Sequence, residues 1–195
     1  SLAAALDQLG YKTYTRDSVF YSDEHTELWT EFSRARATQD KKEFQSARAK
    51  LVSAIAEGGY NATVDCPGCV LYKDFMERWP NSKVILTTAD DIEDWADSVL
   101  YSVFRLPVIW NHMPIRMWQG LRIWNTISRA VYMTLGLGPL EFHSNGIDES
   151  GAFMSPDSAY RIYEQYVEQV RKTVPPGQLL VYNVKQGWAP LCIFL

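Results

Sequence analysis

Asp65 follows the short run Ala62-Thr63-Val64 and stands directly before Cys66 and Pro67. A carboxylate placed at the end of a strand can take a proton from a substrate hydroxyl or amine. The same carboxylate can cap the helix that Pro67 is suited to begin, and the two roles are compatible. Cys66-Pro67-Gly68-Cys69 has the C-x-x-C spacing of a thiol redox pair at a strand-to-helix turn. The plainer reading is a pair of small buried thiols. A zinc site would need further ligands at close spacing, and Cys192, His25, His112 and His143 are scattered, so no metal is expected. His143 lies in the polar, glycine-rich stretch GLGPLEFHSNGIDESG, which suits a loop or lid. Arg116, Arg122 and Arg129 recur at roughly helical spacing, the pattern of a solvated face. The stripe of Trp118, Leu121 and Trp124 reads as core or pocket wall rather than as a stacking platform for nucleic-acid bases.

The elements around these residues follow from periodicity. LAAALDQL (2–9) predicts a helix stopped by Gly10, and YKTYT (11–15) a strand. Ser22 or Asp23 can cap a helix to about residue 37 with Leu28, Trp29 and Phe32 on one face. A helix over 40–56 carries Phe44, Ala47, Leu51 and Ile55 on one stripe and ends at Gly58-Gly59. A strand at 62–65 leads into a helix over 67–78, broken by Pro80. KVILTTA (83–89) predicts a strand buried in the interior of a parallel sheet. Asp90 or Asp91 caps the next helix, with Ile92, Trp95, Val99 and Phe104. Two amphipathic helical pieces near 114–135 carry Ile127 and Val131. Ser155-Pro156-Asp157 opens a helix to about Thr173, QLLVYNV (178–184) gives a strand, and a last helix begins near Gly187 or Ala189.

Strands alternating with helices predict an α/β fold, with a parallel sheet covered on both faces. Ligands of such folds sit beyond the C-terminal ends of the strands. Thr15-Arg16, Asp65, Ala89-Asp90 and Asn183 are placed there by location alone. The 195 residues suit one domain, 1–195, with 108–150 as a helical and loop insertion able to form an acceptor pocket or lid. The chain starts inside a helix and stops on LCIFL, so both ends read as cut. Net charge is −4, with 47% hydrophobic and 22% charged residues. This balance predicts a folded protein and offers no basic excess for nucleic acid. Three cysteines suit a reducing, cytoplasmic setting. No apolar run reaches the ~18 residues of a membrane span.

Three segments together resemble one family. YNATVDCPGCVLYKDFMERWPNSKVILTTAD resembles the core of P-loop sulfotransferase-like proteins, whose members read Y-D-A-x-x-D-x-P and then K-V-I-L-T-x-R-D. VPPGQLLVYNVKQGWAPLCIFL resembles their V-P-x-x-x-L-L through G-W-x-P-L-C-x-F-L. SLAAALDQLGYKTY resembles the helix and strand that follow their phosphate-binding loop. The resemblance implies a three-layer α/β/α fold of the P-loop nucleoside triphosphate hydrolase type. It implies transfer of a sulfuryl group from 3′-phosphoadenosine 5′-phosphosulfate to a hydroxyl or amine of a small acceptor. It makes Asp65 the general base, Ser1 the last residue of the phosphate loop, and Ser98 a contact to the donor's 3′-phosphate.

The sequence departs from the pattern at two points. The glycine-rich loop itself would lie before Ser1, and the family's Arg after the third strand is Ala89, followed by Asp90 and Asp91. The alternative is therefore a non-catalytic P-loop-fold protein that works by binding a partner. A kinase or hydrolase is less favoured, because VILTT ends without an acidic magnesium ligand.

Overall fold

The computed structural model describes residues 2–38, 40–98, 127, 130, 131, 134 and 155–195, with Cys66 and Pro67 described in backbone alone. They fall into two compact units, Ser1–Arg78 with Ile115–Leu135, and Trp79–Pro114 with Gly136–Leu195. The expected positions Ser1, His112, His143, Arg116, Arg122 and Arg129, and the stripe from Trp118 to Trp124, lie outside the described residues.

The first unit begins with α1 (Leu2–Gln8), which ends where Gly10 takes φ 88°. There the Gly10 N–H bonds the Asp7 carbonyl and the Tyr11 N–H bonds the Leu6 carbonyl, both at 3.0 Å. This paired closure needs a residue free to adopt the left-handed region. β1 (Thr13–Tyr14) follows and pairs in parallel with β2 (Ala62–Thr63), Thr13 opposite Ala62 and Tyr14 opposite Thr63. The Val64 N–H to Tyr14 carbonyl bond, 3.1 Å, carries the pairing one residue further, to the threshold of Asp65.

Between the strands run α2 (Arg16–Phe20), α3 (Asp23–Thr38) and α4 (Lys41–Glu57). The Ser22 hydroxyl accepts the His25 N–H at 3.3 Å, so of the two expected caps Ser22 starts α3. Asp40 caps α4 through the N–H groups of Lys42 and Glu43, at 2.8 and 3.1 Å. Trp29 and Phe32 from α3, and Ala47, Leu51 and Ile55 from α4, are buried together as their helical spacing requires. Ile127, Ala130 and Val131 join the same core, and with Thr134 are the described residues of the 108–150 segment.

The single helix expected over 67–78 is instead three pieces. α5 (Asp65–Gly68) is one turn, Cys69–Leu71 is a 3₁₀ turn, and α6 (Tyr72–Arg78) completes the segment. The tighter turn brings the consecutive apolar residues Val70 and Leu71 both into the core. α6 is tied to α4 by the Arg48 guanidinium, whose Nε donates to Asp74 at 3.0 Å and whose Nη2 donates to the second carboxylate oxygen.

In the second unit β3 (Val84–Thr87) pairs in parallel with β4 (Leu179–Tyr182), Val84 opposite Leu179 and Thr87 opposite Tyr182. Among the described residues the expected parallel pairing takes the form of two two-stranded pairs, one in each unit. The fully buried β3 needs correction. Leu86 is buried, Val84 and Ile85 are half-buried, and Thr87 is exposed, because β3 has one strand neighbour among the described residues. α7 (Ile92–Ser98) and α8 (Pro156–Thr173) lie between these strands in sequence, and α9 (Ala189–Phe194) follows β4. Ser155 caps α8 as expected, its hydroxyl accepting the Ser158 N–H at 3.2 Å. The fold is α/β with parallel strand pairing.

Candidate active site

Asp65 is the first residue after the β1–β2 pairing ends, and the first residue of α5. Its φ is 57°, and it is the non-glycine residue in the left-handed region among the described residues. For an L-residue that conformation costs roughly 1–2 kcal/mol, least for Asn and Asp. The strand therefore hands the chain to α5 through a sharp turn that leaves the Asp65 side chain exposed. No hydrogen bond or ion pair engages that carboxylate among the described residues.

The Cys66–Cys69 spacing behaves as the plainer reading anticipates on the side that is described. Burial pushes the Cys69 thiol up to about 12, with the charge of Asp65 and then the local backbone bonds as lesser influences. Cys69 is therefore a thiol, not a thiolate, at neutral pH. Among the described residues no group of three His, Cys, Asp or Glu could hold a metal ion.

Near the same strands, His25 is buried against Tyr14 and Tyr60. Trp29 Nε1 donates to the Tyr14 hydroxyl at 3.0 Å, and that hydroxyl meets His25 Nδ1 at 3.2 Å. The Tyr14 hydroxyl accepts from Trp29 and still has both a proton and a lone pair for His25, so the contact holds the buried imidazole against β1 in either ring tautomer. Burial lowers the His25 pKa, against a smaller opposing pull from Glu24. The sequence offers His25 no near neighbour of catalytic spacing; its partner comes from β1, eleven residues earlier.

At the β3–β4 end, Thr88 continues the ladder by donating its N–H to the Tyr182 carbonyl at 2.9 Å. Ala89 is exposed, and its N–H donates to the Tyr163 hydroxyl of α8 at 3.0 Å. Asp91 caps α7 by accepting the Glu93 N–H at 2.7 Å. Asp90 is engaged by two donors: Asn183 Nδ2 bonds one carboxylate oxygen, and Lys185 Nζ pairs with the other. The Lys185 contact is the main cause of a lowered Asp90 pKa, and Asp90 in turn raises that of Lys185.

The backbone after β4 sets these donors in place. Asn183 Oδ1 accepts the Lys185 N–H and the Asn183 N–H donates to Gln186 Oε1, each at 2.9 Å. Asn183 is legible from its place at a strand end. Lys185 is not singled out by the sequence, although a lysine two residues past a strand-end Asn is the available signal. Ser98 is exposed at the far end of α7, roughly 9 Å along the axis from Ile92.

No helix among the described residues is long and apolar enough to cross a membrane. The chain is 28% identical over 195 residues to Ava biosynthesis cluster protein M of Aspergillus versicolor, covering all of this chain and 70% of that protein. The family model described as a sulfotransferase domain matches residues 1–195. With its motifs, its parallel strand pairs and a domain match that runs its whole length, the chain belongs to the sulfotransferase-domain family.

Proposed function

We propose that this protein moves a sulfuryl group from 3′-phosphoadenosine 5′-phosphosulfate to a hydroxyl or amine of a small acceptor, with Asp65 as general base. The observation that carries the reading is the exposed Asp65 carboxylate at the end of a parallel strand pair, with no hydrogen bond or ion pair among the described residues, in a chain of this family. As the acceptor oxygen or nitrogen bonds to sulfur, its proton passes to the Asp65 carboxylate. The bond from sulfur to the bridging phosphate oxygen breaks, and the bisphosphate nucleotide leaves with that electron pair. Ser1 and Ser98 are the chain's own candidates for contacts to the donor, and residues 108–150 for the acceptor pocket, in a protein acting in the cytoplasm. A small acceptor accords with the relative's place in a biosynthesis cluster.

The strand end at Ala89 favours the second reading, a P-loop-fold protein that binds a partner without catalysis. A methyl stands where an arginine would grip phosphate, and Asp90 already holds the nearby lysine. Incubating the full-length protein with sulfur-labelled donor and a panel of phenols, alcohols and amines separates the two. Label transferred to an acceptor supports the enzyme. No transfer to any acceptor, from protein shown to be folded, favours the binding module.

A further inference from the structure

The β3–β4 end contains donors suited to an anion, and an anion from the chain itself uses them. Asn183 Nδ2 and Lys185 Nζ each take one oxygen of Asp90, the arrangement in which two donors hold a two-oxygen anion. The turn that carries them is fixed by the Asn183 bonds to Lys185 and Gln186, and by the Tyr182 hydroxyl donating to the Gly187 carbonyl at 2.9 Å. Gly187, at φ 72°, closes that turn. Further negative charge lies at the starts of α7 and α8. Asp91 caps α7, Glu93 and Asp94 lie in its first turn, and Asp157 lies in the first turn of α8. Asp94 acts on Lys185 as well. The residues present at this strand end therefore do not fit a doubly charged phosphate while Asp90 stays where it is.

We propose that the Asp90 carboxylate is a built-in occupant of the Asn183–Lys185 donors, so that this strand end adds no affinity for the 3′-phosphate of the nucleotide. This rests on the sulfuryl-transfer reading for the identity of the nucleotide. A 3′-phosphate arriving here must displace Asp90 from both donors and then sit beside the released carboxylate. A nucleotide lacking that phosphate meets neither obstacle.

Calorimetry on the full-length protein with adenosine 3′,5′-bisphosphate and with AMP tests this. The native protein is expected to bind the two within about twofold of each other. Asp90→Ala should strengthen bisphosphate binding roughly fivefold or more at low salt, with AMP changed less than about twofold. The gain should shrink as salt rises. Adding Lys185→Ala should erase it. Asp90→Asn, which keeps the shape and removes the charge, should show the same direction. Asp90 and Lys185 are exposed, so circular dichroism is expected to match the native protein in every variant.

A ratio unmoved by Asp90→Ala, a gain that survives Lys185→Ala, or no nucleotide binding by any folded variant overturns the proposal. Transfer of labelled sulfate is scored separately. Transfer with an unmoved ratio defeats this proposal and leaves the transferase reading. A gained ratio with no transfer does the reverse.

Discussion

A methyl group on Gly68 would lie 2.1 Å from the Thr63 hydroxyl oxygen, so the end of α5 rests directly on β2 with room for a hydrogen and nothing larger. The Thr63 oxygen is buried and has no hydrogen-bond partner among the described residues. Its role there is contact, and the contact closes the turn in which Asp65 adopts its left-handed conformation. Gly68→Ala should therefore destabilise the protein by about 1–3 kcal/mol, the cost of overpacking. Thr63→Ala alone should cost little, since it removes an unpartnered oxygen. The double variant should recover most of the Gly68→Ala loss, a coupling readable from urea midpoints in a double-mutant cycle. Additive losses would show that the two residues act independently.

The two ion pairs on α4 should behave differently. Arg48 and Asp74 are largely shielded, with side chains 16% and 20% exposed, and the guanidinium also reaches the Val70 carbonyl at 3.4 Å. Asp74→Ala leaves a buried charge without its partner and should cost about 2–3 kcal/mol. The Lys50–Glu31 pair is open to solvent. Glu31→Ala should cost less than about 1 kcal/mol. Denaturant melts of both variants in the same buffer give the comparison.

His25 gives the protein a pH-dependent stability of known sign. Burial against Tyr14 and Tyr60 keeps its native pKa below the ordinary value, partly countered by Glu24. As pH falls through about 6.5, the unfolded chain takes up a proton that the folded chain refuses, and stability is lost. The loss continues until the depressed native pKa is reached, with a slope of no more than about 1.4 kcal/mol per pH unit from this one group. Comparing the native protein with His25→Phe by denaturant melts from pH 8 to pH 5 isolates it, because the other histidines are common to both. The variant should show the shallower dependence, and parallel curves would mean that His25 is as free to protonate as an exposed imidazole.

The sequence makes the elements legible where one helix face or one cap decides. Trp29 and Phe32, and Leu51 and Ile55, are buried where their periodicity puts them, and Ser155 with Pro156 starts α8. It misleads where tertiary contact overrides local pattern. VILT reads as an interior strand from its apolar run, yet the ladder gives it one described neighbour. The segment after Pro67 reads as one helix, yet the Gly68–Thr63 contact and the burial of both Val70 and Leu71 break it into three pieces. Asp65 is marked by its place at a strand end, whereas its positive φ has no sequence signal, because Asp adopts it without the help of glycine. The Asp90–Lys185 pair is beyond local reading altogether, since its partners lie 95 positions apart and meet through the parallel pairing of β3 with β4.

Single-turnover kinetics of Asp65→Asn against the native full-length protein, with donor saturating and an acceptor from the panel, tests the central claim most directly. Loss of a positioned proton acceptor should slow sulfuryl transfer by about 10²–10⁴-fold. Donor affinity, measured by calorimetry on the same samples, should change less than about threefold, because Asn keeps the size and the exposed setting of the side chain. Transfer at the native rate by a folded Asp65→Asn protein would contradict the assignment of Asp65 as the base.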